Sequence, residues 1–529
     1  MIPAVPRANA VPVSLVVKLP PEGDKRQLRA DVRSALGKGW TLGRLFETDL
    51  DKPELMRWYL VVGSLPVAEP LNDVQAAWES AHRLQRTGEY EIEPQVPKGT
   101  YMPTRIGVRS GGTAPPHLPG SLDKSWALKK IKAIEAWGLT PPAGGRRHGA
   151  GIVVGHPDTG YTRHREIYPS ALDLALDRDI LAGDDDATDP MQEGTVGHGT
   201  ATGSVIASRM GYDVIGTAPG TKLRPIRTIV NVVVIFGGNV ARAIDYARRT
   251  HCDVISMSLG GLFLGGVRDA VDAAVEDGCI VLAAAGNVWP MVAEPANYPN
   301  CIAVAATNAQ DAKWKDSASG QQVAISAPGE SVWVAHWEAG QQGVHRSSGT
   351  SFAVAHVAGV AALWLGYHGP GTLRAKYGPR TSAAFRRLLT VTARKPSGWD
   401  AGAMGAGIVN AKALLEASLP SIADVRSTAR ALAPGAPSAR DLLGEIAPTT
   451  LRTTRTSVEQ PAGSQRRARG RTAPSSEEEL LYRELVYLTT ERPALVATER
   501  SRSRQSPTLI PTLVRSFASP SLAERFPER

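Results

Sequence analysis

Cysteine is scarce in this chain of 529 residues. There are three, Cys252, Cys279 and Cys301, too few and odd in number for a disulfide framework, so they read as small buried hydrophobes in a protein suited to a reducing compartment. Long apolar runs are also missing. No stretch reaches the ~18 residues a membrane-spanning helix needs, and the nearest, Val354 to Leu365, is rich in small residues and contains His356, which marks a buried core helix. The first twenty residues, MIPAVPRANAVPVSLVVKLP, lack a charged start followed by an unbroken apolar run. No secretory signal is read there, no membrane contact is expected, and the expected location is cytoplasmic. No His or Cys spacing suggests zinc or iron, and the pair Gly237-Gly238 is followed by no Walker lysine, which argues against a phosphate loop.

What the chain does have is enough apolar material for a sizeable core, 42% hydrophobic against 21% charged residues, and enough length for more than one unit. Its net charge is +9, unevenly placed: from Leu419 onward there are 17 Arg, no Lys and 12 acidic residues. Those acids are interspersed and only four aromatics interrupt the tail, so nucleic acid is not an expected partner.

Four zones follow from the pattern. Residues 1–93 alternate short β-like runs (Ser14–Leu19, Trp58–Gly63) with helical stretches (Lys25–Ala35, Asn72–Arg86) and read as a small α+β domain. Residues 94–120 carry repeated Pro and Gly and read as a linker. Over 121–418, apolar runs at Gly151–Gly155, Lys222–Val230, Asp253–Met257, Ile280–Ala285 and Cys301–Ala305 alternate with helical Asn239–Arg249 and Val267–Glu276. Continuously apolar strands between helices predict a three-layer α/β/α domain with a mostly parallel sheet. Residues 419–529 form an Arg-rich, largely disordered extension with one candidate helix, 477–490, that could take a partner protein.

Four strings inside the α/β zone carry chemistry. Asp158 follows a buried strand in His156-Pro157-Asp158-Thr159-Gly160; His198 lies between glycines in Gly197-His198-Gly199-Thr200; Asn287 follows Ala283-Ala284-Ala285-Gly286; and Ser351 opens an apolar helical run in Ser348-Gly349-Thr350-Ser351-Phe352. Acyl transfer needs these residue types. A serine hydroxyl is a poor nucleophile until a neutral imidazole takes its proton, and a buried carboxylate fixes the imidazole tautomer. A serine at a helix N-terminus has backbone N–H groups and the positive dipole end beside it, and an Asn side chain can add a donor for the oxyanion. Each string alone is ordinary: a turn, a loop or a helix cap. Together, in this order, they are not.

The order Asp, His, Asn, Ser, with separations of 40, 89 and 64 residues, resembles the subtilisin-like serine proteases (peptidase family S8, the subtilases) over about Ser121 to Ser418. The resemblance implies a serine endopeptidase, with Asp158 orienting, His198 as base and then acid, Ser351 as nucleophile and Asn287 in the oxyanion hole. No cofactor is expected. The resemblance also implies a substrate-binding edge at Ser258, Leu259 and Gly260 and a specificity pocket lined by Ala284 and Gly286, with Ala293 at its base. A small Ala293 leaves room for a large apolar side chain while Glu294 would favour a basic one, and that choice stays open. One departure stands out: His356 occupies the place where the family usually carries a proline, and it reads as a core residue. His156, His164, His345 and His368 are expected to be structural.

The resemblance further casts the N-terminal zone as a prodomain, an intramolecular inhibitor whose linker is cut to release a mature domain beginning near Trp126, Ile131 and Trp137. The expected partners are then protein or peptide substrates and that prodomain. The acidic loop Asp184-Asp185-Asp186, with Asp189 and Glu193, reads as a solvated loop with calcium as an alternative ligand. The rival to the prodomain is a permanent N-terminal module that recruits substrate, and the rival to an enzyme is a catalytically silent, protease-shaped scaffold that binds peptides.

Overall fold

The computed structural model describes residues 10–47, 52–66, 73–95, 123–234, 237–261, 265–287, 291–338, 340–430, 476–491 and 518–523. The chain forms two compact units, one made of residues 1–107 with 436–529 and the other of 108–435. Of the predicted linker, only residues 94 and 95 lie among the described residues.

In the first unit, β1 (Ala10–Lys18), β2 (Thr41–Arg44), β3 (Trp58–Pro66) and β4 (Glu91–Gln95) make an antiparallel sheet in the order β2-β3-β1-β4, with Leu15 opposite Val61. Helix α1 (Lys25–Leu36) begins where the Asp24 side chain accepts the Arg26 N–H, and buries Leu28, Val32 and Leu36 at four-residue spacing, the stripe expected of a helix with one face on a core. Helix α2 (Asp73–Gln85) packs on β1 and β4.

The larger unit opens with α3 (Trp126–Lys130) and α4 (Ala133–Trp137), where the Trp126 and Trp137 ring N–H groups donate to Ser331 O and Thr217 O at 3.2 and 3.0 Å. Its strands are β5 (Val153–Asp158), β6 (Arg178–Asp179), β7 (Lys222–Arg227), β8 (Val233–Val234), β9 (Val254–Met257), β10 (Gly260–Gly261), β11 (Ile280–Ala284), β12 (Ile302–Thr307) and β13 (Val323–Pro328), followed by a hairpin of β14 (Val332–Glu338) and β15 (Gln341–Ser347). Seven form one parallel sheet in the order β13-β12-β11-β9-β5-β7-β6. Helices α5 (His198–Ala207), α6 (Gly238–Arg249), α7 (Val267–Glu276) and α8 (Thr350–His368) cover it; α9 (Pro370–Tyr377), α10 (Thr381–Thr392), α11 (Ala401–Met404), α12 (Ala411–Glu416) and α13 (Ile422–Arg430) complete the unit. Alternation along β5 shows the layers: a Cβ on Gly155 would meet Ala247 of α6 and Cys252, whereas His156 meets Thr202 of α5, so the two helices lie on opposite faces. The predicted three-layer α/β/α fold is therefore the fold found.

The first strand of this sheet is central. Later strands extend it to both sides, so the end of β5 lies where the strand order reverses, the usual place for a site in an open parallel sheet. Two strand ends of this sheet differ most from the sequence reading. Strand β5 runs on to Asp158 instead of stopping at Gly155, because His156, Pro157 and Asp158 stay paired with Pro225, Ile226 and Arg227. Strand β7 ends at Arg227 instead of Val230, because the Thr228 and Ile229 N–H groups turn back to Asp158 O at 2.8 and 3.3 Å. Helix α8 is the one helix among the described residues long and apolar enough to cross a membrane, and 94% of that window is buried in the core.

The sequence treats residues 419–529 as one extension. In the structure that stretch is divided: α13 packs against α10 of the larger unit, while α14 (Ser476–Glu491) and α15 (Pro520–Ala523) belong to the unit that holds β1–β4. The physical reason lies in apolar positions such as Leu480, Val486 and Leu522, which are buried there. The expected disorder elsewhere in the tail falls outside the described residues.

Candidate active site

Asp158 ends β5 fully buried, and the Nδ1 of His198, the first residue of α5, lies 2.8 Å from its Oδ1. The same Oδ1 accepts the Thr159 N–H at 2.7 Å, and Thr202 Oγ1 lies 3.4 Å from Oδ2. Burial alone would raise the pKa of this carboxyl, but the charge and hydrogen bond of His198, with His156 and the Thr159 N–H, hold it below the usual carboxylate range. An ionised Asp158 accepts a proton-bearing Nδ1, which leaves Nε2 as the basic nitrogen of a neutral ring. The close approach of the two loops requires glycine at 199: a Cβ there would sit 2.1 Å from Gly160 O.

Ser351 is the second residue of α8, and the ring of its neighbour Phe352 lies 6.4 Å from the His198 ring. The Ser351 hydroxyl donates to Ser258 O at 3.3 Å, and Ser258 Oγ donates back to Ser351 O at 3.0 Å. No hydrogen bond joins Ser351 to His198 among the described residues. Asn287 is oriented by Thr350, whose backbone N–H and hydroxyl both donate to Asn287 Oδ1 at 2.9 and 2.8 Å. A backbone N–H can only donate, so the atom facing it is the amide oxygen, and the Nδ2 donors point the other way. Gly286 precedes Asn287 at φ 115, a conformation open to glycine but strained for other residues.

A groove beside Ser351 is lined by Val232, Val233, Ser258, Leu259, Gly260, Ala284, Gly286, Asn287, Ala293, Thr350 and Ser351. It therefore gathers all six residues proposed from sequence for substrate binding, together with Asn287 and Ser351. Glu294 is not part of this lining; its carboxylate accepts the Tyr298 hydroxyl at 3.0 Å, and its backbone pairs with Gly261. The substrate edge is partly engaged within the chain, since β10 pairs with β8 and the Gly260 N–H donates to Val232 O at 3.0 Å.

Several residues at the site carry no sequence signal of their own. Asp189, buried, accepts the Thr159 hydroxyl and the Gly197 N–H on one oxygen, both at 2.8 Å, and the Met191 N–H on the other. Thr159 Oγ1 in turn accepts the Gly199 N–H at 3.1 Å. Asp189 thus braces the segment after Asp158 to the segment before His198. His156 lies behind Asp158, with Nε2 3.7 Å from Oδ2 and 3.1 Å from Thr202 Oγ1. Burial lowers its pKa, Asp158 pulling it up and His198 adding to the fall. It packs against the Asp158–His198 pair. Among the other acids of that loop, Asp185 pairs with Arg178 and Asp186 accepts the Thr188 N–H and hydroxyl. No group of three or more His, Cys, Asp or Glu is placed to hold a metal ion among the described residues.

His356 lies in the core, its Nδ1 2.9 Å from Thr217 Oγ1, and burial pushes its pKa down to about 3. The three cysteines are free and buried, each thiol pushed up to about 12 by burial, too high for nucleophilic thiolates.

A buried carboxylate–imidazole pair, a helix-start serine and an oriented amide in a parallel α/β domain are the parts a serine hydrolase uses. The comparisons with known proteins narrow that class. The subtilase family model matches residues 149–407. Thermitase of Thermoactinomyces vulgaris is 32% identical over 303 residues, 55% of this chain and 97% of that protein. An extracellular protease of Xanthomonas campestris pv. campestris is 33% identical over 342 residues, 56% of each. Among solved structures, proteases from Pseudoalteromonas arctica align at 24% identity with a TM-score of 0.46, covering 56% of this chain and 97% of theirs. The chain belongs to the subtilase family, the family that the motif order resembles. It spans about half the length of some relatives, 56% of the Xanthomonas protein and 54% of subtilisin E of Bacillus subtilis. The expectation of a cytoplasmic protein is corrected by these comparisons, since a matched relative is an extracellular protease; the scarcity of cysteine does not mark the compartment when the core is large enough to need no disulfides.

Proposed function

We propose that the protein is a serine endopeptidase acting outside the cytoplasm through an acyl-enzyme. The observation that carries the reading is the buried Asp158–His198 pair at 2.8 Å beside the groove that holds Ser351 and Asn287. Rotation of the Ser351 side chain away from Ser258 O turns its hydroxyl toward His198, a tightening of apo geometry common in such sites. His198 takes the proton as Ser351 Oγ attacks the peptide carbonyl, and the negative oxygen meets the Asn287 Nδ2 group and the Ser351 backbone N–H. His198 then protonates the leaving amine, the C–N bond breaks, and water activated by the same imidazole hydrolyses the ester. The pocket walls from Leu259, Ala284, Gly286 and Ala293, with Glu294 held by Tyr298, favour an apolar residue before the scissile bond.

The antiparallel α+β unit at residues 10–95 serves in this reading as a prodomain, released by a cut in the 96–122 connection. Purified full-length protein treated with a fluorophosphonate probe tests both parts. Labelling that disappears in Ser351→Ala, with intact mass showing loss of an N-terminal piece, supports the enzyme and its maturation. Labelling of uncut chain keeps the enzyme and discards self-processing. No labelling, even after the connection is nicked with added protease, turns the reading to a silent peptide-binding scaffold.

A further inference from the structure

The C-terminal end of the chain closes a face of the N-terminal unit. Helix α2 is buried on more than the face it lays on the sheet: Ala77, Ala81 and Leu84 are fully covered, and Glu79 and His82 are buried too, residues that a helix lying on a four-stranded sheet would ordinarily leave to solvent. What covers them is α14 and α15, both packed on α2. His82 Nε2 lies 2.6 Å from Glu484 Oε2, and Glu484 also accepts the Ser519 N–H and hydroxyl at 2.7 and 2.9 Å. Glu79 accepts the Ser521 N–H and hydroxyl at 2.9 and 2.7 Å, Arg86 donates to Ser521 Oγ at 2.9 Å, and Gln75 donates to Ala518 O at 3.2 Å. The Trp78 and Tyr487 rings lie 5.8 Å apart. Each side thus supplies the partners of the other's buried polar groups, and separating them would strand two carboxylates and an imidazole without those bonds.

We infer that α14 and α15 form a clasp that holds the N-terminal unit on the chain after the 96–122 connection is cut, so that freeing it takes a second cut, between 431 and 475. The chain leaves this unit after β4, builds the whole larger unit and then returns to it. A single cut therefore removes one covalent path and leaves the other, through the clasp, at the high effective concentration of an intramolecular partner. The retention does not depend on catalysis. Its consequence, that inhibition outlasts the first cut, rests on the prodomain reading.

The test separates the two. Full-length Ser351→Ala protein carries a C-terminal affinity tag and site-specific protease sequences inserted after Ser110 and after Gly463, and both are cut by the added protease. Recovery of the 1–110 piece with the tagged tail in equal amount, and its loss in Val486→Asp and in His82→Ala, is the expected result. A tagged tail that comes down alone overturns the clasp. In the wild-type background the same cuts are followed by peptide hydrolysis. Cutting after Ser110 alone is expected to leave the rate at least about tenfold below that of the same cut in Val486→Asp. Equal rates, with the first arm positive, leave the clasp standing and overturn the inhibitor role.

Discussion

Two buried, hydrogen-bonded carboxylate–imidazole pairs among the described residues sit in different surroundings. Asp158 and His198 meet at 2.8 Å at the end of the sheet, and Glu484 and His82 meet at 2.6 Å where the tail helix crosses α2. By distance and burial they are near twins. The difference lies on the other side of each ring. His198 lies 6.4 Å from the ring of Phe352, the neighbour of Ser351 in the first turn of α8, whereas His82 is enclosed by Trp78, the tail helix and the Ser519 turn. A buried pair of this kind is equally good at fixing an imidazole for chemistry and at fastening one element to another. Its surroundings decide which.

Breaking the two pairs in turn gives the sharpest contrast. Asp158→Asn is expected to lower kcat on a chromogenic peptide by about 10⁴-fold, because the ring loses its orienting carboxylate and its tautomer, while Glu484→Gln does not lower it. Next in size is Asn287→Ala, which removes the Nδ2 donor and is expected to cost about 10²–10³-fold in kcat with little change in KM. Asp189→Ala should cost about 10–100-fold in kcat, since the segments carrying Asp158 and His198 lose their shared brace; Asp189→Asn, which keeps one acceptor oxygen, is expected to recover part of the loss. An unchanged kcat in Asp189→Ala would show that the brace is dispensable.

The smallest effect concerns stability. His356 stays neutral in the folded protein down to about pH 3 because burial lowers its pKa from the ordinary 6.5. Between those values the unfolded chain binds a proton the native state refuses, so this residue's contribution to stability is present above pH 6.5 and falls by roughly 1.4 kcal/mol per pH unit as pH drops. In Ser351→Ala protein, adding His356→Gln should flatten the decline of the denaturant midpoint between pH 6 and 4. The same slope in both proteins would contradict this.

What the sequence alone determined is local. The strings around Asp158, His198, Asn287 and Ser351 are short, and their order along the chain pointed to the family, whose resemblance implied the groove residues, while apolar strands alternating with helices gave the parallel sheet. Helix α8 was legible for the same reason, as an apolar run with a serine at its start. Tertiary structure decided the rest. Asp189 is one acid among several in its loop, and nothing in its neighbourhood separates it from Asp185 or Asp186; only the fold brings it against Thr159 and Gly197. That the Glu294 carboxylate accepts the Tyr298 hydroxyl was likewise invisible in the sequence. The tail helix was visible as a helix, but its seat was not, because an amphipathic stripe says that a face will be buried and not against what. Burial is a property of pairs of segments distant in sequence, His82 and Glu484 among them, and that pairing exists once the chain has folded back on itself.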